Sequence, residues 1–199
     1  MASQRVSTAQ MRLVARYWGV SLGRGCAFVG RASLVRRRQS VIRIGPNGLF
    51  LSAPTSNRHG LNRPVMISTL RPGAEIVIGS DANMSGTVIC AAASVRIGDR
   101  VMLGANTTIT DTDSHPLDYR ERYAANYGLD PRLAARATAK APVVIEDDVF
   151  IGMHAIVLKG VTIGRGAVVA AGSIVTRDIP PDAIAGGTPA QILDRSQGE

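Results

Sequence analysis

The residues best suited to chemistry are in the segment Asp111-Thr112-Asp113-Ser114-His115-Pro116. A neutral imidazole takes up a proton near neutral pH, so His115 is the candidate general base. Asp111 and Asp113 lie close enough in sequence to fix the imidazole tautomer or to bind hydroxyl groups of an acceptor, and a plain turn role fits them equally well. No nucleophile elbow and no Cys/His pairing accompanies them, which argues against a covalent enzyme intermediate and leaves Ser114 and Cys90 as structural residues. The three histidines, His59, His115 and His154, are widely spaced, so metal ligation is poorly supported. His59 falls in the basic stretch Ser56 to Pro64 and His154 inside a periodic block; each reads as a loop or corner residue unless the fold brings it to a site.

The element that must position His115 is written in a six-residue period. Ile145, Ile151, Val157, Ile163, Val169 and Val175 recur at every sixth position, and Ile78, Met84 and Cys90, then Ile97, Leu103 and Ile109, keep the same beat with one slip near Arg96. Six residues fit neither a helix at about 3.6 per turn nor a two-faced strand. They fit three short strands per coil, with backbone bonds between coils and a thin aliphatic core. Five to seven coils are expected, with irregular ones upstream around Val29 and Ile44. The period vanishes between Asp111 and Val143, so a loop leaves the prism there with His115 at its root. Pro180 and Pro181 end the last block.

Composition limits the function classes. The 199 residues suit one structural domain. It divides into a basic segment at 1–75 with irregular first coils, a regular solenoid at 76–193 and a tail at 194–199. Two distant cysteines argue against a disulfide framework and point to a reducing cytoplasm. Gly, Arg or Asp interrupts every aliphatic stretch, so no bilayer-spanning run is expected. Residues 1–74 hold twelve Arg and no acid. This charge, including Arg36-Arg37-Arg38 and the helix-like stretch with Arg12 and Arg16, either attracts phosphates or an anionic membrane face or forms a solvated basic face. No nucleic-acid motif or aromatic stripe goes with it.

The hexapeptides, the His115-Pro116 loop, the segment Ile174 to Pro181 and Gly186 to Ala190 occur in an order that resembles the bacterial hexapeptide-repeat acyltransferases. The resemblance spans about residues 76–193 and is strongest to the sugar O-acetyltransferases of the maltose and galactoside type. Met84 to Thr87 and Asp111 to Pro116 further resemble polysaccharide-biosynthesis members. It implies an all-β fold, a left-handed parallel β-helix built as a triangular prism, assembled as a homotrimer with sites between prisms. It also implies acetyl-CoA as co-substrate, no metal, and His115 as the base that activates a saccharide or lipid-linked saccharide hydroxyl. Ser85, Asn106, Asp111 and Asp113 are then acceptor-binding candidates. Gly152, Met153, Ala171, Thr176 and Arg177 match donor-binding positions. Ala92 to Ser94 replaces an acidic acceptor contact of the sugar enzymes. Gln191 stands where a family arginine meets the CoA 3′-phosphate, leaving Arg165 or Arg195 as substitutes. The expected location is cytoplasmic, peripheral to the inner membrane face. Alternatives are an N-acetyltransferase acting on an amino nucleotide-sugar and a non-catalytic scaffold.

Overall fold

The computed structural model describes residues 2–126 and 138–195; side chains are described for 7–124 and 138–193. Part of the expected 111–143 loop, and the tail beyond residue 195, lie outside the described residues.

Helix α1 (Ala2–Trp18) leads into coils of three strands each. They are β1 (Ser21–Leu22), β2 (Ala27–Val29) and β3 (Ser33–Val35); β4 (Val41–Ile44), β5 (Leu49–Leu51) and β6 (Met66–Thr69); β7 (Glu75–Ile78), β8 (Asn83–Ser85) and β9 (Val88–Ala91). After these come β10 (Ser94–Ile97), β11 (Met102–Leu103) and β12 (Thr108–Thr110), then helix α2 (Tyr119–Asn126) in the loop. The last coils are β13 (Val143–Ile145), β14 (Phe150–Ile151) and β15 (Ile156–Val157), and β16 (Thr162–Ile163), β17 (Val168–Val169) and β18 (Ile174–Val175). A hairpin of β19 (Ala183–Gly187) and β20 (Ala190–Arg195) follows the last coil.

Within the coils each strand pairs in parallel with the strand three further on, giving three sheets. We name these faces A (β1, β4, β7, β10, β13, β16), B (β2, β5, β8, β11, β14, β17, β19, β20) and C (β3, β6, β9, β12, β15, β18). The chain therefore winds round a three-sided parallel β-helix, six coils high. Pairing continues across the junction at Glu75, where β4 meets β7 in register.

The core is three stacked columns of inward side chains. On face A they are Ile44, Ile78, Ile97, Ile145 and Ile163; on face B, Phe28, Phe50, Met84, Leu103, Ile151 and Val169; on face C, Leu34, Ile67, Ile89, Ile109, Val157 and Val175. The expected beat therefore holds with one correction. Cys90 is not inward: Ile89 and Ala91 are the buried residues of β9, because the B–C corner after Met84 is one residue short and the next corner is longer. Near the first coil Phe28 stacks on Phe50 at 4.5 Å, two large rings where later coils use aliphatics. Met11 and Ala15 of α1 cover this end, so the open core is capped. Burying one such side chain is worth about 1.5–3 kcal/mol.

Sharp corners need the left-handed backbone region. At the A–B edge Gly25, Asn47, Asp81, Arg100, Asp148 and Gly166 occupy it, one per coil, and at the B–C edge Gly86, Asn106, His154 and Gly172 do so. Asn, Asp and Gly tolerate this geometry best. Asp99 Oδ1 accepts the Ser80 N–H at 2.6 Å, and Asp147 Oδ1 the Asp99 N–H at 2.8 Å, so acids at the A–B edge tie coil to coil.

Candidate active site

Two excursions leave the prism, from different edges. The first, residues 52–65 between β5 and β6, departs at the B–C edge and is tied down by internal bonds. Arg63 donates to the carbonyls of Gly86 and Asn106 and to Thr108 Oγ1. Asn106 accepts from the Asn62 N–H and donates to the Gly60 carbonyl. Asn57 donates to Ser85 Oγ, and Leu61 is buried beneath the loop. The loop thus has a fixed shape without regular structure.

The second excursion carries His115 and departs from the C–A edge after β12. Its two stems are pinned to each other: Asp113 N–H donates to the Ala139 carbonyl, Ala141 N–H to the Asp111 carbonyl, and Thr112 bridges Lys140. Thr110 and Thr112 hydroxyls build the turn from within, the latter accepting the Ser114 N–H at 3.2 Å. Ser114 takes a left-handed φ of 64°, and His115 follows, exposed at the loop root, with its N–H on the Asp113 carbonyl at 2.7 Å. Asp118 then caps α2 by accepting the Arg120 and Glu121 N–H groups.

The two candidate carboxylates prove to be different in kind. Asp111 is 0% exposed, and its oxygens accept the N–H groups of Ala92 and Ala93 at 2.6 Å each. It braces the corner between β9 and β10 and has no surface to offer an acceptor, which corrects its assignment as an acceptor-binding residue. Ser85 is likewise buried and receives Asn57, so its side chain serves the first loop, a second correction.

Asp113 is half-buried beside His115. Its Oδ1 receives Lys159 Nζ at 2.6 Å from the next coil, while its Oδ2 is buried and has no hydrogen-bond partner among the described residues. A buried carboxylate oxygen with its charge already balanced is suited to accept one more N–H. Lys159 was not singled out by sequence reasoning. The signal was a lone cation at the C–A corner, one coil beyond the loop.

The remaining candidates divide between two edges. Thr176 and Arg177 are exposed at the C–A edge, two corners along from His115. Gly152, Met153 and Ala171 lie at the B–C edge. Gly152 is constrained by stacking alone: a Cβ there would stand 2.5 Å from the Ala171 backbone nitrogen. The B–C edge also bears a notch of about 370 Å³ lined by Pro54, His59, Gly60, Leu61, Asn62, Asn106 and His154. It joins two histidines remote in sequence, so no local pattern announces it. Asn106 lines it even as it braces the loop. Arg165, proposed for a CoA phosphate, is exposed and donates to Asp148 at 3.2 Å; the side chain of Arg195 lies outside the described residues. Among the described residues no cluster of His, Cys, Asp and Glu could hold a metal ion.

A family model for the hexapeptide repeat of succinyl-transferase matches residues 94–110 and 142–177. A hexapeptide-repeat containing acetyltransferase of Vibrio cholerae is 30% identical, with 96% of this chain and 82% of that one covered at a TM-score of 0.58. A second structure of it, complexed with acetyl coenzyme A, matches at 29% identity over 98% of this chain and 81% of that one, TM-score 0.60. A Schizosaccharomyces pombe protein named as an acetyltransferase is 44% identical over 107 residues, 54% of this chain and 46% of that one. The 2,3,4,5-tetrahydropyridine-2,6-dicarboxylate N-acetyltransferase of Staphylococcus aureus is 54% identical over 56 residues, 28% of this chain and 23% of that one. The chain thus belongs to the hexapeptide-repeat acetyltransferases. It spans less than half the length of these two curated relatives.

Proposed function

We propose that this protein is an acetyl-CoA-dependent O-acetyltransferase that modifies a saccharide hydroxyl, with His115 as general base, in a surface-polysaccharide pathway on the cytoplasmic side. The observation that carries the reading is His115 exposed at a pinned loop root, beside an Asp113 whose buried oxygen awaits a donor. With Asp113 Oδ1 paired to Lys159, Oδ2 accepts the imidazole N–H and leaves the other ring nitrogen free as base. That nitrogen takes the hydroxyl proton as the acceptor oxygen attacks the thioester carbonyl. Collapse of the tetrahedral intermediate breaks the C–S bond, and the imidazolium returns its proton to the departing CoA sulfur.

The division of candidates between edges gives a reason for the proposed assembly. One prism carries His115, Thr176 and Arg177 on its C–A edge and Gly152, Met153 and Ala171 on its B–C edge. In a left-handed β-helical homotrimer the C–A edge of one copy faces the B–C edge of the next, and acetyl-CoA lies between them. The Vibrio cholerae relative, complexed with acetyl coenzyme A, supports the donor. The notch at His59, Asn62, Asn106 and His154 then stands at the coils level with His115 and is the place for acceptor hydroxyls.

A second reading is acetyl transfer to nitrogen, as on an amino nucleotide-sugar; the segment shared with the Staphylococcus aureus N-acetyltransferase supports transfer to nitrogen but not the sugar. Both are tested by release of CoA thiol from acetyl-CoA across nucleotide sugars, simple glycosides, polysaccharide fragments and their amino counterparts. A hydroxyl acceptor should drive release, and His115→Ala should lower it at least about 100-fold without lowering thermal stability. Release driven only by amines establishes the second reading. Release that persists undiminished in the variant rejects His115 as base.

A further inference from the structure

We infer that the α1 end of the prism is a docking surface for an anionic phospholipid membrane, with α1 lying along the bilayer interface. This is independent of the acetyl-transfer reading. Helix α1 turns Met11 and Ala15 into the core and leaves an outer face on which Leu13 is 67% and Tyr17 83% exposed. These two are four residues apart and so neighbours on one stripe. Exposed Arg12 and Arg16 flank them, also four apart, and line a notch of about 320 Å³ with Ala15, Val20 and Leu22. Tyr17 stands edge-on to Trp18 at 5.5 Å, so an aromatic pair sits where the helix ends.

The surroundings carry one sign of charge. No acid occurs before Glu75, and Glu75 is engaged by Arg43 and Arg96. The arginine triplet after β3 is not uniform. Arg36 turns inward, donating to the carbonyls of Trp18 and Ser40, and so caps the C-terminus of α1. Arg37 and Arg38 stay exposed. The membrane contact expected of the whole triplet therefore passes to Arg12, Arg16, Arg37 and Arg38, and Arg36 fixes the helix against the prism.

Apolar and aromatic side chains level with guanidinium groups fit a lipid interface, where rings settle at headgroup depth and cations meet lipid phosphate. A nucleic acid would use the cations and leave Leu13 exposed. The helix does not cross: among the described residues no helix is long and apolar enough to do so.

Trp18 is the single tryptophan of the chain; partly buried against the core at the end of α1 and edge-on to exposed Tyr17, it reports on this end of the prism. The full-length protein is mixed with vesicles of phosphatidylcholine alone or with phosphatidylglycerol, each with and without brominated acyl chains, and binding is read by sedimentation and Trp18 quenching. Expected are binding and quenching on anionic vesicles only. A double Arg12→Gln and Arg16→Gln variant should weaken binding by roughly tenfold or more, since each charge near such a surface is worth about fivefold. Leu13→Ser with Tyr17→Ser should reduce both binding and quenching severalfold, whereas Arg96→Gln with Arg165→Gln should change neither. All substituted side chains are exposed, so folding is checked by unchanged melting. The inference is overturned by equal binding to neutral vesicles, by binding without bromolipid quenching, or by adhesion to duplex DNA that survives the Leu13 and Tyr17 changes. CoA release by the Arg12/Arg16 and Leu13/Tyr17 variants stays at the wild-type level, since none of these four residues belongs to the acetyl-transfer site.

Discussion

The two excursions from the prism differ in what their polar groups are for. At the B–C edge the 52–65 loop is anchored by polar groups turned back on the prism, Arg63 on four acceptors, Asn57 on Ser85, and the Asn62 N–H and Gly60 carbonyl on Asn106, while His59 stays exposed at the notch. At the C–A edge the stems are pinned as firmly, yet His115 is left exposed and Asp113 Oδ2 has no hydrogen-bond partner among the described residues. A solenoid offers equivalent corners, so the chemistry is decided by which polar groups a loop leaves unspent. The first loop forms a wall, and the second presents a base.

That contrast can be broken from either side. The largest effect is expected at Asp111, whose two charge-assisted bonds hold the turn between β9 and β10. Asp111→Ala strands the Ala92 and Ala93 N–H groups in a buried corner and should cost about 3 kcal/mol or more, seen as a lower midpoint in urea denaturation. Arg63→Ala comes next, at about 2 kcal/mol, because its carbonyl acceptors are only partly buried and water replaces some of the bonds. Its signature should be local: faster amide hydrogen exchange across 52–65, with protection at the stems 111–113 and 139–141 unchanged. Equal loosening of both loops would erase the distinction drawn between them.

How far these roles were legible in the sequence follows from the same physics. The aliphatic beat from Ile145 to Val175 places each inward residue of the last two coils, because nothing but stacking acts on them. Upstream the beat blurs where Phe28 and Phe50 replace aliphatics and where a short corner puts Ile89, not Cys90, inward. His115 was legible because the period stops beside it. The difference between Asp111 and Asp113 was not, since burial is decided by Ala92 and Ala93, which belong to the preceding coil. Arg36 was equally opaque: three consecutive arginines look alike until the end of α1 lies against one of them.

The smallest effect concerns the A–B edge, which bears no excursion at all. There the hydrogen bond from Arg100, then its charge, hold the Asp148 carboxyl below the usual carboxylate range, with a further contribution from Arg165. A carboxylate whose folded pKa is depressed adds stability above its unfolded pKa and loses it as pH falls through the folded one. The pair is exposed and screened by salt. Acidification from the unfolded carboxylate range downward should therefore lower the melting temperature only slightly more in the wild type than in Asp148→Asn. A large difference would mean that this edge carries more of the fold than its exposed ion pairs imply.

The central claim is that one site needs the C–A edge of one copy and the B–C edge of another. It is tested most directly by mixing two inactive proteins, His115→Ala and Ala171→Trp, the second blocking the donor groove at an exposed residue. After dissociation and reassembly in equal amounts, random mixing gives about a quarter of the sites an intact His115 edge facing an intact Ala171 edge. The account predicts that about this fraction of wild-type CoA release returns. Activity no greater than the sum of the two variants measured separately would contradict it and place the whole site within one prism.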